Sequence, residues 1–199
     1  MLLNQQLFVM QPAVKTAVPG LTYVREFLPP QEHDELLVAI DDQPWISDLQ
    51  RRVQHYGYRY DYKAHRIDAS MRVGPLPAWA VRLACRLYDQ GITPRIPDQL
   101  IVNEYRPGQG IARHVDCLPC FDDTIVSITL GSTCAMVFTH PDGSSVPVLL
   151  EPRSAVVLQG DTRRVWRHEI PKRKKDVIGD QTYLRSRRVS LTFRKVILF

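Results

Sequence analysis

The sequence is poor in the features that secreted and membrane proteins require. Four cysteines in 199 residues are too sparse for a disulfide scaffold, which favours a reducing compartment. The first residues lack the basic start of a signal peptide, and no run of about 20 apolar residues, the length of a membrane-spanning helix, occurs anywhere. We therefore expect a cytoplasmic protein without a membrane span, and we favour a monomer.

Length and composition favour one domain. A chain of 199 residues that is 44% hydrophobic can build one sizeable core and is short for two. We expect an N-terminal arm over residues 1–18 and a single domain over 19–199. Within that domain, residues 19–98 should supply helical support and a lid, and residues 99–199 a β core.

The order of local signals indicates a mainly β protein with flanking helices, the α+β class. One helix should open near Pro30, and a second should cross residues 77–90 and end at Gly91. From Gln99 onward, short β-rich runs alternate with turn signals such as the stretch from His140 to Gly143. Many short, evenly spaced strands predict a sandwich or a barrel.

A possible metal site begins at His114 and Asp116. The two residues stand two apart, so their side chains leave the same face of an extended segment. His168 follows much later, inside another predicted strand. Two imidazoles and one carboxylate that leave further positions open are the ligand set of non-haem Fe(II) oxygenases. A zinc hydrolase site is the chemical alternative, but it usually takes both histidines from one helix, and no H-E-x-x-H is present.

The last predicted strand carries a second chemical signal. Arg188, Ser190, Thr192 and Arg194 alternate with Val189, Leu191 and Phe193, so the polar and apolar side chains fall on opposite faces. Two inward arginines need an anion between them, because an unpaired buried guanidinium is costly, and a dicarboxylate would serve. A strand with one solvent-facing side is the alternative explanation of this pattern.

Together, these motifs resemble the AlkB family of Fe(II) and 2-oxoglutarate-dependent dioxygenases, in which H-x-D is followed by a distal His and by R-x-N-x-T-x-R. The resemblance implies a double-stranded β-helix (jelly-roll) oxygenase core that uses Fe(II), O2 and 2-oxoglutarate as cosubstrate. The implied metal-binding and catalytic residues are His114, Asp116 and His168. The implied cosubstrate site is Asn103, Tyr105, Arg188, Ser190 and Arg194, with Arg188 on the distal carboxylate and Arg194 nearer the metal-chelating end. Ser190 replaces the family's usual Asn. Because a hydroxyl can still donate or accept a hydrogen bond, we expect this change to alter the affinity for 2-oxoglutarate and not the identity of the cosubstrate.

Several stretches resemble one branch of the family, the AlkB domain of the eukaryotic enzyme that hydroxylates wobble uridine in tRNA, and a stand-alone domain of this kind resembles a bacterial AlkB homologue. Repair-type members often carry an acid two positions after the metal-binding Asp, where this chain has Leu118. We expect oxidative dealkylation of alkylated bases in DNA or RNA, which gives succinate, CO2 and formaldehyde. The alternative is hydroxylation of a modified wobble uridine or another tRNA base, and a non-catalytic nucleic-acid binding module ranks third.

A nucleic-acid partner is also suggested by aromatic and basic residues ahead of the metal motif. Tyrosines recur with period two over residues 56–62, which predicts one strand face. This face is either packed on the core or part of a lid whose aromatics stack on a base while arginines meet phosphate. The lid residues would be Arg51, Arg52, Tyr56, Tyr58 and Arg59.

The overall charge of +5 and the pI of about 9.1 mildly favour a polyanionic partner. Basic residues cluster over 163–175 and 185–195, either as a solvated rim or as a surface that follows a phosphate backbone. Cys117 and Cys120 form a C-x-x-C pair just after the metal motif. Because no second pair completes a zinc site, we expect two incidental thiols rather than a zinc-binding or redox element.

Overall fold

The computed structural model of the chain describes residues 13–47, 50–61 and 64–198. Most of the described strands fall into two antiparallel sheets. The seven-stranded major sheet has the order β1-β2-β9-β6-β13-β4-β3, and its strands are β1 (Val14–Lys15), β2 (Leu21–Val24), β3 (Val53–Tyr56), β4 (Gln99–Tyr105), β6 (Phe121–Gly131), β9 (Ala155–Leu158) and β13 (Arg188–Val196). The four-stranded minor sheet has the order β5-β10-β7-β8, formed by β5 (Ile111–His114), β7 (Cys134–Thr139), β8 (Ser145–Leu150) and β10 (Arg167–Ile170).

Two helices cover the outer face of the major sheet. They are α1 (Pro30–Asp41) and α2 (Ala78–Asp89), both close to the predicted positions. Their buried residues, such as Leu36 and Leu83, form one core cluster with Val189, Leu191 and Phe193 of β13. The apolar half of the alternating strand therefore faces the helices. Its polar half must face the minor sheet, and this places the site between the two sheets.

The connections follow the turn chemistry of the sequence. Helix α2 is followed by Gly91 with φ of +67°, a conformation that glycine adopts readily. Strands β7 and β8 are joined by the predicted turn, in which the His140 carbonyl accepts a hydrogen bond from Gly143 N at 3.0 Å. A short 3-10 helix spans Ala69–Met71, and a five-residue helix α3 spans Gly160–Arg164. The expectation of a mainly β protein with flanking helices is confirmed.

Two parts of the structure differ from the expectation. The tyrosine stretch is not one strand, because β3 ends at Tyr56. Gly57 follows with φ of +77°, and a Cβ there would lie 1.9 Å from the carbonyl oxygen of Asp98, so the chain must turn at a glycine. Tyr62 lies outside the described residues. A hairpin of β11 (Lys175–Ile178) and β12 (Gln181–Leu184) was not predicted, because its many polar and charged residues obscure the alternation of apolar and polar positions that is typical of a strand.

The N-terminal boundaries stay predictions. Residues 1–12 of the expected arm lie outside the described residues, while β1 pairs with β2 at the edge of the major sheet. Strands β2 and β3, which precede residue 99, belong to the same sheet as the later strands. Among the described helices, each is too short or too polar to cross a membrane.

Candidate metal centre and cosubstrate pocket

Strand pairing in the minor sheet brings the predicted metal ligands together. Strand β5 pairs with β10 so that His114 lies directly opposite His168, and Asp116 follows two residues after His114. One ligand atom from each of the three residues lies within 4.8 Å of the others. Gly110 permits this pairing, since a Cβ at that position would be 2.1 Å from the carbonyl oxygen of Ile170. A glycine at position 110 therefore lets β5 approach β10 closely enough to bring the metal ligands together.

The hydrogen bonds around the three residues leave one atom of each for a metal. His114 Nδ1 lies 2.8 Å from the Ala112 carbonyl oxygen; as an N–H donor there, it leaves Nε2 with a lone pair. Asp116 Oδ1 accepts a hydrogen bond from Arg194 Nη2 at 2.7 Å. The other oxygen, Oδ2, lies 3.7 Å from His168 Nε2. One carboxylate oxygen and two imidazole nitrogens are thus available as ligands.

The protonation states also suit a cation. Burial alone would raise the pKa of the Asp116 carboxyl, but the charges around it, first that of Arg194 and then those of His168, His114 and Arg163, together hold that pKa well below its usual range. Burial lowers the pKa of His168 to about 4, with the neighbouring His114 acting in the same direction. At neutral pH the close approach of His168 to Asp116 therefore joins a neutral ring to an anion. A carboxylate, the neutral ring of His168 and a second imidazole from His114 form a ligand set that fits Fe(II).

A pocket extends from these residues between the sheets. Its wall contains the eight residues that the sequence motifs predict for metal and cosubstrate binding: Asn103, Tyr105, His114, Asp116, His168, Arg188, Ser190 and Arg194. The remaining wall is mostly apolar, with Ile111, Ile125, Met136, Leu158 and Ile170. The structure thus places all eight in one cavity, although their individual roles stay predictions.

Arg188 is the strongest sign of an anionic ligand. The residue is 2% exposed, and its Nη2 donates a hydrogen bond to Thr129 Oγ1 at 3.0 Å. Its Nε is buried without a hydrogen-bond partner, and no carboxylate of the described residues forms an ion pair with it. A buried cation in this state is costly unless an anion accompanies it. A ligand carboxylate would supply the missing charge and acceptor.

The other pocket residues have partners within the protein. Ser190 Oγ lies 2.9 Å from Ser127 Oγ, so a hydroxyl pair occupies the place of the family's usual amide. Asn103 Oδ1 accepts a hydrogen bond from Arg51 Nε at 2.9 Å, which leaves the amide N–H groups of Asn103 free of that contact. Arg194 Nη1 donates to Gln99 Oε1 at 3.3 Å while its Nη2 holds Asp116. Arg194 therefore connects the cosubstrate pocket to the metal ligands.

The five predicted nucleic-acid residues fall into two groups. Arg51 contacts Asn103 of the pocket wall, and Arg59, together with Arg194 and Arg51, adds to burial in lowering the pKa of His55 to about 4. By contrast, three of the five are engaged elsewhere. Arg52 donates two hydrogen bonds of 2.7 Å to the buried Glu104, Tyr56 packs edge-on against Trp79, and Tyr58 packs against the cluster around Phe121. Their nucleic-acid role stays a prediction.

The basic segment from 163 to 175 is likewise divided. Arg163 is buried and Arg164 pairs with Asp123 at 2.9 Å, while Arg173 pairs with Asp176 at 2.6 Å. The exposed lysines are Lys172, Lys174 and Lys175. Two hydrogen bonds place the segment beside two other loops, Gly108 N to the Arg173 carbonyl at 3.1 Å and Lys172 to Gln50 at 3.0 Å. A third, Gln109 to Gln50 at 2.6 Å, joins those two loops to each other.

One expectation near the metal ligands is wrong. Cys117 and Cys120 are joined by a disulfide and are not incidental thiols. The turn between them brings their Cα atoms to 5.3 Å, a separation that suits a disulfide. The bond closes the loop that begins at Asp116. No second cysteine pair was needed, because the two thiols are each other's partner.

Comparisons with known proteins agree with this geometry. Residues 20–194 match the family model described as the 2OG-Fe(II) oxygenase superfamily. The tRNA (carboxymethyluridine(34)-5-O)-methyltransferase alkbh8 of Xenopus tropicalis is 38% identical over 202 residues, which cover 89% of this chain and 32% of that protein. The alkylated DNA repair protein ALKBH8 homolog of Arabidopsis thaliana is 36% identical over 90% of this chain and 59% of its own length. The chain thus spans about a third and three fifths of these relatives.

A solved structure supports the fold independently. The structure of OsALKBH1 superposes with a TM-score of 0.67 at 17% identity, over 92% of this chain and 100% of that chain. The predicted jelly-roll architecture is confirmed, as are the oxygenase class and the use of Fe(II), 2-oxoglutarate and O2 that the family implies. With the family model spanning the two sheets and the His-Asp-His centre between them, the chain belongs to the 2OG-Fe(II) oxygenase superfamily and is of the AlkB type.

Proposed function

We propose that the chain hydroxylates a carbon of a modified base in nucleic acid, with a wobble uridine of tRNA as the favoured target. The observation that carries the oxidative part is Arg188, a buried guanidinium without an acidic partner that lines the same pocket as the His-Asp-His group. A dicarboxylate bound there would meet the cation at one end and the metal ligands at the other. This arrangement suits 2-oxoglutarate.

Each pocket residue would have a separate task. His114, Asp116 and His168 would hold Fe(II), which together with 2-oxoglutarate and O2 supplies the oxidising power for C–H hydroxylation. Arg188 would bind the distal carboxylate of the cosubstrate, and Asn103, Tyr105 and Ser190 would orient it by hydrogen bonds. Arg194 would keep Asp116 ionised and lie near the chelating end of the cosubstrate. The apolar wall around Met136 and Leu158 would exclude water from the reacting atoms.

The choice of base rests on relatives and on one side chain. We expected dealkylation first from the sequence, but the Xenopus relative is named for a tRNA carboxymethyluridine, which favours the tRNA alternative. Leu118 is 48% exposed within the loop that the Cys117–Cys120 disulfide closes, and its apolar side chain cannot accept a hydrogen bond from the exocyclic amine of an alkylated adenine or cytosine. Dealkylation stays the second candidate because the Arabidopsis relative is named as an alkylated DNA repair protein.

A basic rim supports a polyanionic substrate. We define the lysine rim as Lys172, Lys174 and Lys175, which are exposed on the segment that leads into β11. Among the described residues, these lysines form no ion pair with an acid. Unpaired, exposed ammonium groups beside the 50 and 108 loops would contact phosphates at low salt. We propose this rim, together with Arg51 and Arg59, as the nucleic-acid surface.

Mass spectrometry of reaction products tests the proposal. The enzyme is loaded anaerobically with Fe(II) and 2-oxoglutarate, mixed with total tRNA or with a panel of methylated DNA and RNA oligonucleotides, and then exposed to O2. We expect one added oxygen on a uridine of tRNA, with succinate formed in equal amount. Loss of a methylene unit from an oligonucleotide, with formaldehyde released, would instead make the protein a demethylase.

A matched variant separates catalysis from binding. His168→Ala removes a proposed ligand from a buried position and should abolish succinate formation while tRNA binding is retained. If wild-type protein binds tRNA and neither oxidises it nor turns over 2-oxoglutarate with any member of the panel, the proposal fails, and the third hypothesis of a non-catalytic binding module gains support.

A further inference from the structure

Arg163 makes an unusual set of contacts just below the metal ligands. It lies in the short helix α3, between the strand β9 and the strand that carries His168. The side chain is 2% exposed. Its guanidinium donates hydrogen bonds to four backbone carbonyl oxygens, those of Asp116 at 2.8 Å, Cys117 at 3.0 Å, Phe121 at 3.3 Å and Asp122 at 3.3 Å. All four belong to the loop that starts at Asp116 and ends in β6.

Two of these carbonyl groups, those of Asp116 and Cys117, have particular need of a donor. They belong to residues 115–120, which connect β5 to β6 outside any strand, so they lack the regular partners of a sheet. Arginine offers five N–H donors in a fixed planar arrangement and can bind several acceptors at once. A single side chain therefore restrains both ends of the loop. The Cys117–Cys120 disulfide closes the middle of the same loop.

The burial of Arg163 is costly, which argues for a specific task. Burial lowers the pKa of its guanidinium, while the charge of Asp116 acts in the opposite direction. Among the described residues, no carboxylate forms an ion pair with Arg163, and carbonyl oxygens take that place. Its neighbour Arg164 is exposed and pairs with the side chain of Asp123 at 2.9 Å. Of two adjacent arginines, only the first reaches the metal loop.

We propose that Arg163 is a positioning residue for the metal centre. It fixes Asp116 through the backbone, so that the carboxylate, whose Oδ1 is held by Arg194, presents Oδ2 toward His168 before any metal arrives. The inference rests on the metal site of the proposed function. A residue in this role raises metal affinity by preorganising a ligand, and it touches neither metal nor substrate.

The test measures metal binding by the metal-free protein. Wild-type protein is titrated with Co(II) under argon, and the dissociation constant is taken from the visible absorption of the bound ion. No thiol reductant is added, so that the disulfide stays closed and offers no thiolate ligands. Arg163→Lys keeps the positive charge but loses the planar donor set, and Arg164→Lys is the matched control. Groups that orient metal ligands typically change affinity by about 10–100-fold when removed.

We expect Arg163→Lys to bind Co(II) at least about tenfold more weakly than wild type, with altered absorption bands, and Arg164→Lys to bind as wild type does. Thermal melting of each metal-free variant reports folding separately. If Arg163→Lys does not fold, Arg163→Gln, which keeps an N–H donor pair, replaces it. A folded variant at position 163 with wild-type Co(II) affinity and spectrum would overturn the inference while leaving the metal site intact. Wild-type protein that binds Co(II) no better than His168→Ala would instead refute the metal site itself.

Discussion

Replacing Arg188 by methionine should separate the stability of the protein from its affinity for the cosubstrate. Methionine is apolar and of similar length, so it fills the space of the arginine without the charge. In the metal-free and ligand-free protein, the change removes a buried guanidinium whose Nε has no hydrogen-bond partner and which has no acidic partner among the described residues. Apolar replacement of such a charge is often neutral or stabilising. We therefore expect a melting temperature equal to or above that of wild type.

The effect on 2-oxoglutarate should have the opposite sign. A hydrogen bond to a charged group contributes about 1.5–3 kcal/mol, and losing one partner of a buried charge pair costs about 2–5 kcal/mol. A loss of about 3 kcal/mol raises the dissociation constant for 2-oxoglutarate roughly 150-fold, because each 1.4 kcal/mol is a factor of ten. At a ligand concentration 100 times the wild-type constant, ligand stabilisation should fall from about 2.7 to about 0.3 kcal/mol.

Thermal melting of the metal-free protein measures the first effect, and melting with Mn(II) in place of Fe(II), with and without 2-oxoglutarate, measures the second. Arg187→Met is the matched control, because Arg187 is the neighbour on the same chain and binds Asp41 and Glu104 outside the pocket. This control should melt at a lower temperature and keep the full shift with 2-oxoglutarate. An Arg188→Met protein that retains the wild-type ligand shift would refute the assignment of the distal carboxylate to Arg188.

Three further predictions concern stability, the metal site and the nucleic-acid surface. Burial would raise the pKa of Glu104, but Arg52 and Arg187 hold it at about 2. The ionised carboxylate therefore stabilises the folded protein at neutral pH, and this contribution is lost as the pH falls toward 2. Glu104→Gln should lower the free energy of unfolding in urea by about 2 kcal/mol at pH 7 but by little at pH 2. Gly110→Ala should weaken Co(II) binding, because its Cβ would meet the Ile170 carbonyl oxygen at 2.1 Å. The control Gly108→Ala is strained at φ of +88° but faces open space, so it should leave Co(II) affinity unchanged. Equal affinities for both variants would contradict this reasoning. The double variant Lys174→Glu, Lys175→Glu should weaken tRNA binding. The slope of log association constant against log salt concentration should fall by about 0.7–0.9 for each lost phosphate contact. The control Lys15→Glu, Arg82→Glu changes the net charge equally but lies outside the lysine rim, so it should have less effect.

What could be predicted from the sequence depends on short-range geometry. The opposite faces of β13 follow from the two-residue period of any strand, so Arg188 and Val189 were assigned to different sides without knowledge of the fold. The common side of His114 and Asp116 follows from the same period. The pairing of His114 with His168 is a long-range register, and the family motif was the means of predicting it. Local period and motif together therefore identified the eight pocket residues proposed for metal and cosubstrate, but not the apolar part of the wall.

The features that were missed depend on partners that are distant in sequence. Arg52 was expected at phosphate but is held by Glu104, and no local pattern connects these two residues. Tyr56 and Tyr58 were expected on one strand face, but the chain turns at Gly57 because the backbone at Asp98 lies too close for any side chain. Arg163 and Arg164 are adjacent residues of the same charge, yet Arg163 is buried and Arg164 is exposed. A count of basic residues cannot make that distinction, since it is decided by which carbonyl groups the fold brings near.

The restraints on Asp116 come from three separate parts of the chain, and this has a consequence for how the site responds to mutation. Arg194 of β13 holds one carboxylate oxygen, Arg163 of α3 holds the backbone, and the pairing of β5 with β10 sets the distance to His168. Arg194 belongs to the major sheet and the strand pair to the minor sheet, so the ligand position depends on how the two sheets pack. A core mutation that shifts one sheet by a few tenths of an ångström would leave each sheet intact and still move Asp116 relative to His168. Metal affinity should therefore decline before global stability does, and it is the more sensitive measure of packing in this protein.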